Sequence, residues 1–274
     1  GIGDNTSKVT KYDNPNRTLT DPYEGQQLGE IWGYVVDGYF KTDEEARNYK
    51  VDQSFVNQMI NASALDNGLH AGDLKFVDLD GNNKIEQTTS ANDRKDMKVI
   101  GNSLPRYNYN FGISADWYGI DFSVLFQGIG KQNWYPGAET SMFWGPYSRP
   151  YASFIPSDFM SQVWSEENTN AYFPRPRGYV ALGSNRELAV VNTKYLQNLA
   201  YCRLKNLSIG YTLPDKWLSK MGFEKIRVYF SGENLLTFTK LHSDYIDPEQ
   251  ASASNSWKTS KSDANIYPWA KTRS

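Results

Sequence analysis

The stretch Asp78-Leu79-Asp80-Gly81-Asn82-Asn83-Lys84-Ile85-Glu86 sets an oxygen-bearing group at every second position. That is how a calcium loop presents its ligands. Side-chain oxygens of Asp78, Asp80 and Asn82, the backbone carbonyl of Lys84 and the carboxylate of Glu86 fall at loop positions 1, 3, 5, 7 and 9, and Ile85 falls where such loops bury an apolar residue. Asn83 stands in for the usual glycine of the tight turn, and Asn tolerates the left-handed backbone required there. Position 12 departs from the pattern, being Thr89 rather than a bidentate Glu. Asp93 reaches that place only if residues 87–92 bulge outward. Two readings follow: a site for calcium (Ca2+), or a solvated Asp-Gly-Asn turn that needs no ion.

Catalysis finds little support. His70 and His242 are the only histidines, and neither has the spacing of a metal-ligand pair or of a nucleophile's base. His242, Ser243 and Asp244 are neighbours in sequence, which does not build a triad. Asp116 and Asp121 read as groups on a wet surface near a turn rather than as a glycosidase pair. No phosphate-cradling glycine loop and no dinucleotide fingerprint occur. The chain therefore reads as a protein that is not an enzyme.

Binding is better served, by rings. Nineteen Tyr, thirteen Phe and eight Trp make 15% of the chain, and such amphipathic rings stack on sugar faces or sit at membrane interfaces. Many lie in a segment without clean periodicity, residues 128–192, too aromatic for a disordered tract. Trp134, Tyr135, Trp144 and Tyr147 are its candidate ligand-binding residues; the competing reading is that they pack the segment onto itself or form an aromatic girdle.

The formal net charge of −2 and the lack of a dense basic cluster argue against a nucleic-acid partner. The single Cys202 forbids an internal disulfide and reads as a packed thiol. No apolar run of 18 residues exists, which excludes a spanning helix but not a membrane barrel. The start, GIGDNTSKVT, carries neither Met nor a charged-then-apolar signal segment, and the chain reads as a mature product or a piece of something longer.

Strands must position these groups. In RYNYNFGISADWYGIDFSVLFQ (106–127) apolar residues alternate from Tyr107 to Trp117, switch parity at Tyr118-Gly119 and resume from Ile120 to Phe126. An antiparallel pair whose opposed residue numbers sum to 237 places Trp117 against Ile120, Ala115 against Phe122, Ile113 against Val124 and Phe111 against Phe126, with Ser114 facing Ser123 and Asp116 facing Asp121 on the other side. Only Leu125 breaks the polar face. A membrane barrel needs lipid-facing apolar side chains opposite a polar lumen; a soluble sandwich needs an apolar core face opposite a solvated one.

Elsewhere the pattern predicts strands around 206–213 and 226–231, weaker ones at 31–40, 74–77 and 234–239, and a short helix between Pro214 and Gly222. Thr42 and Glu45 form a capping box, from which a helix is expected to run to about residue 60. Residues 1–27 and 251–265 read as loops.

The motif order resembles the C-terminal part of SusC/RagA-family TonB-dependent outer-membrane transporters of Bacteroidetes. The resemblance is carried by GQQLGEIWGYVVDGYFKTDEEA (25–46), GDLKFVDLDGNNKIE (72–86), IGNSLPRYNYNFG (100–112), DFSVLFQGIG (121–130), YCRLKNLSIGYTLP (201–214) and IRVYFSGENLLTFTK (226–240). It implies a mainly β fold, the antiparallel strands of part of a transmembrane β-barrel of about 22 strands with long extracellular loops and short helices. Residues 1–274 would then be a C-terminal portion of that barrel, without the plug domain and without the last strand. The implied function is uptake of glycans or oligopeptides, driven through TonB acting on the missing plug region and covered by a SusD-like lipoprotein lid, in contact with outer-membrane lipid. The alternative is a soluble aromatic-rich β-sandwich that binds carbohydrate.

Overall fold

A computed structural model of the chain describes residues 1–57, 68–138, 140–148, 155–176, 178–183, 185–220 and 222–251. Its strands are β1 (Ile2–Gly3), β2 (Glu30–Tyr34), β3 (Val36–Tyr39), β4 (Leu74–Phe76), β5 (Met97–Asn102), β6 (Arg106–Trp117), β7 (Ile120–Lys131), β8 (Asn133–Trp134), β9 (Gln197–Asn198), β10 (Tyr201–Thr212) and β11 (Arg227–Thr239). Short helices are α1 (Asp43–Arg47), α2 (Ser141–Trp144), α3 (Asp215–Leu218) and α4 (Pro248–Ala251). The chain is mainly β and antiparallel, as its alternation predicts.

Four long strands and the short β1 form one sheet in the order β1-β6-β7-β10-β11. The register of β6 on β7 is the predicted one, from Trp117 opposite Ile120 to Arg106 opposite Lys131. A two-residue turn sets it: Tyr118 at φ 46° and Gly119 at φ 84° both take the left-handed backbone that matches strand twist. Tyr at the first of these positions is steric strain a glycine would avoid. β10 then pairs with both β7 and β11, and both ladders shift register between Leu204 and Asn206. Asn234, at φ 53°, takes the left-handed backbone across from this irregularity. The predicted 226–231 and 234–239 strands are thus one bulged strand. The short helix after Pro214 is present as α3, and Gly222 turns the chain at φ 72°.

The remaining segments form a second body at the sheet end where β6 begins and β7 ends. Its core holds Tyr34, Phe76, Phe143, Trp144, Tyr147, Phe173, Leu188 and Tyr195. Here one expectation is corrected. The helix that opens at Thr42 ends at Arg47 instead of near residue 60, although the cap forms: the Glu45 amide donates to Thr42 Oγ1 at 3.1 Å and the Lys41 amide to Glu45 Oε2 at 2.8 Å. Tertiary pairing overrides the apolar stripe. Asp52 pairs its backbone with the acidic turn, and buried Gln53 donates from Nε2 to the Leu74 carbonyl at 2.8 Å, so the chain there extends beside β4. Met59 and Ile60, the end of the stripe, lie outside the described residues.

Candidate functional site

Strand alternation gives the sheet two chemically opposite faces. On one lie Phe111, Ile113, Ala115 and Trp117 of β6, Ile120, Phe122, Val124 and Phe126 of β7, Leu204, Leu207, Ile209 and Tyr211 of β10, and Val228, Phe230, Leu236 and Phe238 of β11. Most of these side chains stay open, Leu204 being the buried exception: Ile113 is 60% exposed, Trp117 68%, Val228 64%, Phe230 53% and Phe238 61%. Burying one such side chain is worth roughly 1.5–3 kcal/mol, and soluble monomers rarely leave contiguous apolar patches of more than a few hundred Å². A sandwich would cover this face with a second sheet. Among the described residues nothing does.

The opposite face is polar and ordered by the same register. Ser114, Ser123, Ser208 and Ser231 form a row of hydroxyls straight across β6, β7, β10 and β11, and Ser114 Oγ donates to Ser123 Oγ at 3.2 Å. Asn108 and Asn110 lie on one side of that row and Asp116 and Asp121 on the other; Leu125 and Ile129 are apolar residues on this face, and the rings of Tyr201 and Tyr229 share it. Asp116 directly opposes Asp121, a repulsive pairing. Arg227 relieves it from β11 by donating Nε and Nη2 to the two Asp121 oxygens at 3.0 and 2.5 Å. The ion pair has to cross β10, and it crosses at Gly210. A Cβ there would lie 2.5 Å from Asp121 Oδ1 and 2.7 Å from Arg227 Nη2.

At the other end of the polar face the wall is tied to the body. Arg203 of β10, its side chain only 8% exposed, donates to Asp247 Oδ1 and Glu249 Oε2, each at 2.5 Å, while Lys205 Nζ reaches Glu249 at 3.2 Å. These charge-assisted bonds hold segment 247–251, whose Ala251 enters the core of the body. Sequence reading missed this clamp, because Arg203 and its partners lie more than forty residues apart.

Three of the four candidate binding rings lie buried in the body, and Tyr135 is partly buried. Trp144 and Tyr147 are fully buried and Trp134 nearly so. Trp144 Nε1 donates to the Gly137 carbonyl at 3.0 Å, Tyr147 to Pro174 at 2.7 Å and Tyr135 to Leu188 at 2.8 Å. Burial drives the Tyr135 phenol far above its ordinary pKa, so it stays a neutral donor. The described part of the segment folds around these rings, which is the packing alternative for them. The aromatic pair nearer the surface is one that sequence reading passed over. His242 stacks on Tyr172 with centroids 3.4 Å apart, and its Nε2 lies 2.8 Å from Gln162 Oε1.

The acidic turn brings together part of the predicted set. Asn83 takes the left-handed backbone at φ 63° and Ile85 is fully buried, as the loop pattern requires. Asp78 and Asp80 converge, but with buried Asp96 rather than Asp93, and the three can present oxygens within 4.8 Å of one another. Asn82 and Glu86 join the turn through other bonds: Asn82 donates from Nδ2 to Asp80 Oδ2 and to Glu86 Oε2, both at 3.1 Å, its Oδ1 accepts the Lys84 amide at 2.8 Å, and Glu86 also pairs with Lys95 at 3.2 Å. Asp78 spends its two oxygens on the Gly81 and Asn83 amides, both at 2.7 Å, and Asp96 its two on those of Leu79 and Glu86 at 2.9 and 2.7 Å. Burial pushes Asp78 up, but the amide bonds outweigh it and hold the carboxyl below its ordinary range. For Asp96 burial dominates those bonds and raises it, with the charges of Asp80 and Asp78 adding to the effect. The arrangement is a turn braced by its own carboxylates, with one side open to a cation.

No protein-family model matches the chain. It is similar to TonB-dependent receptor P3 of Formosa agariphila, 31% identical over 228 residues covering 82% of this chain and 19% of that protein. TonB-dependent receptor P39 of the same organism is 27% identical over 241 residues, covering 79% of this chain and 22% of that one. The chain thus spans about a fifth of the length of these relatives. In fold it is similar to the RagAB peptide importer in its open-open state, with TM-score 0.53 at 19% identity, covering 90% of this chain and 23% of that one. The closed-closed state gives 0.52 at 21% identity, covering 90% and 24%.

Proposed function

We propose that this chain, a stretch of a TonB-dependent receptor of the SusC/RagA kind, supplies part of the wall of an outer-membrane transport barrel and a loop body over its mouth. One observation carries the reading: a sheet whose apolar face is bare and whose opposite face is a polar, hydrogen-bonded lining. In a bilayer the apolar face meets lipid and the polar face a wet lumen. No described helix is long and apolar enough to cross a membrane.

The activity proposed is nutrient import, with no bond made or broken by these residues. Short connections at one end of the sheet and long ones at the other orient it, because barrel proteins keep short turns on the periplasmic side and long loops outside. The body, built from the described residues among 4–105, 132–200 and 240–251, then lies at the outer mouth, where a SusD-like lipoprotein would close over the cargo. TonB would act through a plug that is no part of this stretch. The named neighbour RagAB is a peptide importer; oligopeptides and glycans both suit the polar lining, whose serines and carboxamides offer donors and acceptors alike.

The test places nitroxide labels at Ile113 and Phe230, and separately at Ser123 and Ser208, in the reconstituted receptor. Collision with oxygen should dominate at the first two, and collision with a water-soluble nickel complex at the second two. Aqueous quenching at all four would overturn the wall reading.

A further inference from the structure

The connection from β10 to β11, residues 213–226, is not absorbed by that reading. It leaves the sheet beside Tyr211 and Val228, both on the open apolar face. Within it Trp217 is 58% exposed and Phe223 57%, while Leu218 between them is buried and anchors α3. At the adjacent β6–β7 turn, Trp117 and Tyr118 form a T-shaped pair at 5.2 Å and are likewise open. The Thr212 amide donates to the Gly119 carbonyl at 2.7 Å, which holds the two connections side by side. The same connection carries Lys216, Lys220 and Lys225. Among the described residues none of the three has an ion-pair partner, whereas Arg227 a few positions on is fully engaged by Asp121.

Exposed Trp and Phe next to unpaired lysines, continuous with an apolar wall, suit one environment: the layer where hydrocarbon gives way to charged headgroups. Rings settle at that depth because one edge is apolar and the other wet, and lysines extend their apolar stems along the surface toward phosphate. We infer that the β10–β11 connection is an interfacial foot that holds the phosphate groups of anionic phospholipids in the inner leaflet, with Trp217 and Phe223 inserted among the acyl chains and Lys216, Lys220 and Lys225 on the headgroups. This rests on the wall reading. It adds a lipid-specific contact that sets how deep the strands sit.

The experiment reconstitutes the receptor in vesicles of phosphatidylcholine alone or mixed with phosphatidylglycerol, each lipid in turn carrying a photoactivatable group, and maps cross-links by mass spectrometry. Expected are cross-links within 215–225 that are several-fold stronger from phosphatidylglycerol than from phosphatidylcholine. The combined variant Lys216→Gln, Lys220→Gln, Lys225→Gln should abolish that preference, and Trp217→Ala should weaken insertion from either lipid. Labelling around Ile113 and Phe230 serves as the control on the wall. If the wall is labelled and the connection is not, or is cross-linked only to protein, the foot is overturned and the wall stands. Equal labelling of the connection by both lipids, insensitive to the lysine variant, also overturns it. Labelling of neither overturns the wall reading itself.

Discussion

The wall and the body are both rich in rings and use them in opposite ways. In the wall Phe111 stacks on Phe126 at 4.9 Å on a face that stays open. In the body Trp144 packs edge-on against Tyr195 at 5.2 Å and is fully buried. The wall makes its backbone bonds between neighbours in a regular ladder and leaves its apolar side chains to its surroundings. The body has only three short two-stranded ladders, β2 with β5, β3 with β4 and β8 with β9, and its apolar side chains satisfy one another. A folded core needs water outside it to hold together, whereas an open apolar face needs lipid. The two halves should therefore respond differently to the same kind of damage.

The largest effect is expected from Trp144→Ala. Removing a fully buried Trp costs about 3–5 kcal/mol, enough to loosen the body, and pulsed proteolysis should cut between 132 and 200. The wall should keep its heat-modifiable migration on gels. Loss of that migration would mean that the body's core holds the strands too, and the comparison would break.

Next comes a paired charge scan. An arginine on the lipid face of a barrel costs about 2–4 kcal/mol near the midplane and far less on the lumen side. Ile113→Arg should therefore destabilise the refolded receptor by that amount and Ser123→Arg, across the sheet in the next strand, by little. Urea titration in vesicles reads both. Equal penalties would mean the two faces share one solvent.

Within the wall, Gly210→Ala separates backbone from charge. The new Cβ pushes Asp121 from Arg227, and because both side chains are partly exposed the coupling at stake is small. A double-mutant cycle with Asp121→Asn and Arg227→Gln should show a small favourable coupling in the parent and none on the Gly210→Ala background. Coupling that survives the alanine would mean the bridge does not cross at residue 210.

These differences explain what could be read in advance. The wall was legible because alternation is local: parity alone fixes the Trp117 to Ile120 register, and the Tyr118-Gly119 turn agrees with it. The acidic turn was half legible. Asn83 and Ile85 follow from the loop pattern, but Asp96 enters from beyond it and no spacing rule names it. The body was not legible, because its contacts join distant residues such as Arg175 and Asp73, 2.5 Å apart, and because an aromatic without periodicity looks the same whether it will bind a ligand or fill a core. The α1 helix shows the same limit: its cap is a local signal and forms, while its end is set by Gln53 reaching β4.

A smaller effect should distinguish the body from the wall by pH. Burial first, and Lys194 nearby, lower His242 below its ordinary 6.5, with Asp244 opposing. A folded-state pKa below the unfolded one means that the unfolded chain takes up the proton first. The stability this gives is fully present above about pH 6.5 and is lost as pH falls from there through the lower folded value. His242→Gln should flatten that dependence in the melting of the body. The wall strands contain no histidine and should show no change over the same window. Asp96, raised, shifts stability the other way at more acidic pH, so the difference between parent and variant is the quantity to read. A parallel loss in both halves would mean that the group titrating is elsewhere.

The smallest effect expected is none at all, on removing divalent cations with a chelator. Asp78 and Asp96 use all four of their carboxylate oxygens on backbone amides of the turn, and Glu86 is neutralised by Lys95. A turn that its own amides already hold does not need an ion to keep its shape, so the melting of the body should not move with EDTA. Calcium would still find Asp78, Asp80 and Asp96 on one side, since an oxygen accepting one amide bond retains a lone pair. A fall of several degrees on chelation, restored by calcium and absent in Asp80→Asn, would make the turn an ion site. It would also give the body a brace unlike the wall's own, where Arg227 pairs with Asp121 of the opposed carboxylates Asp116 and Asp121.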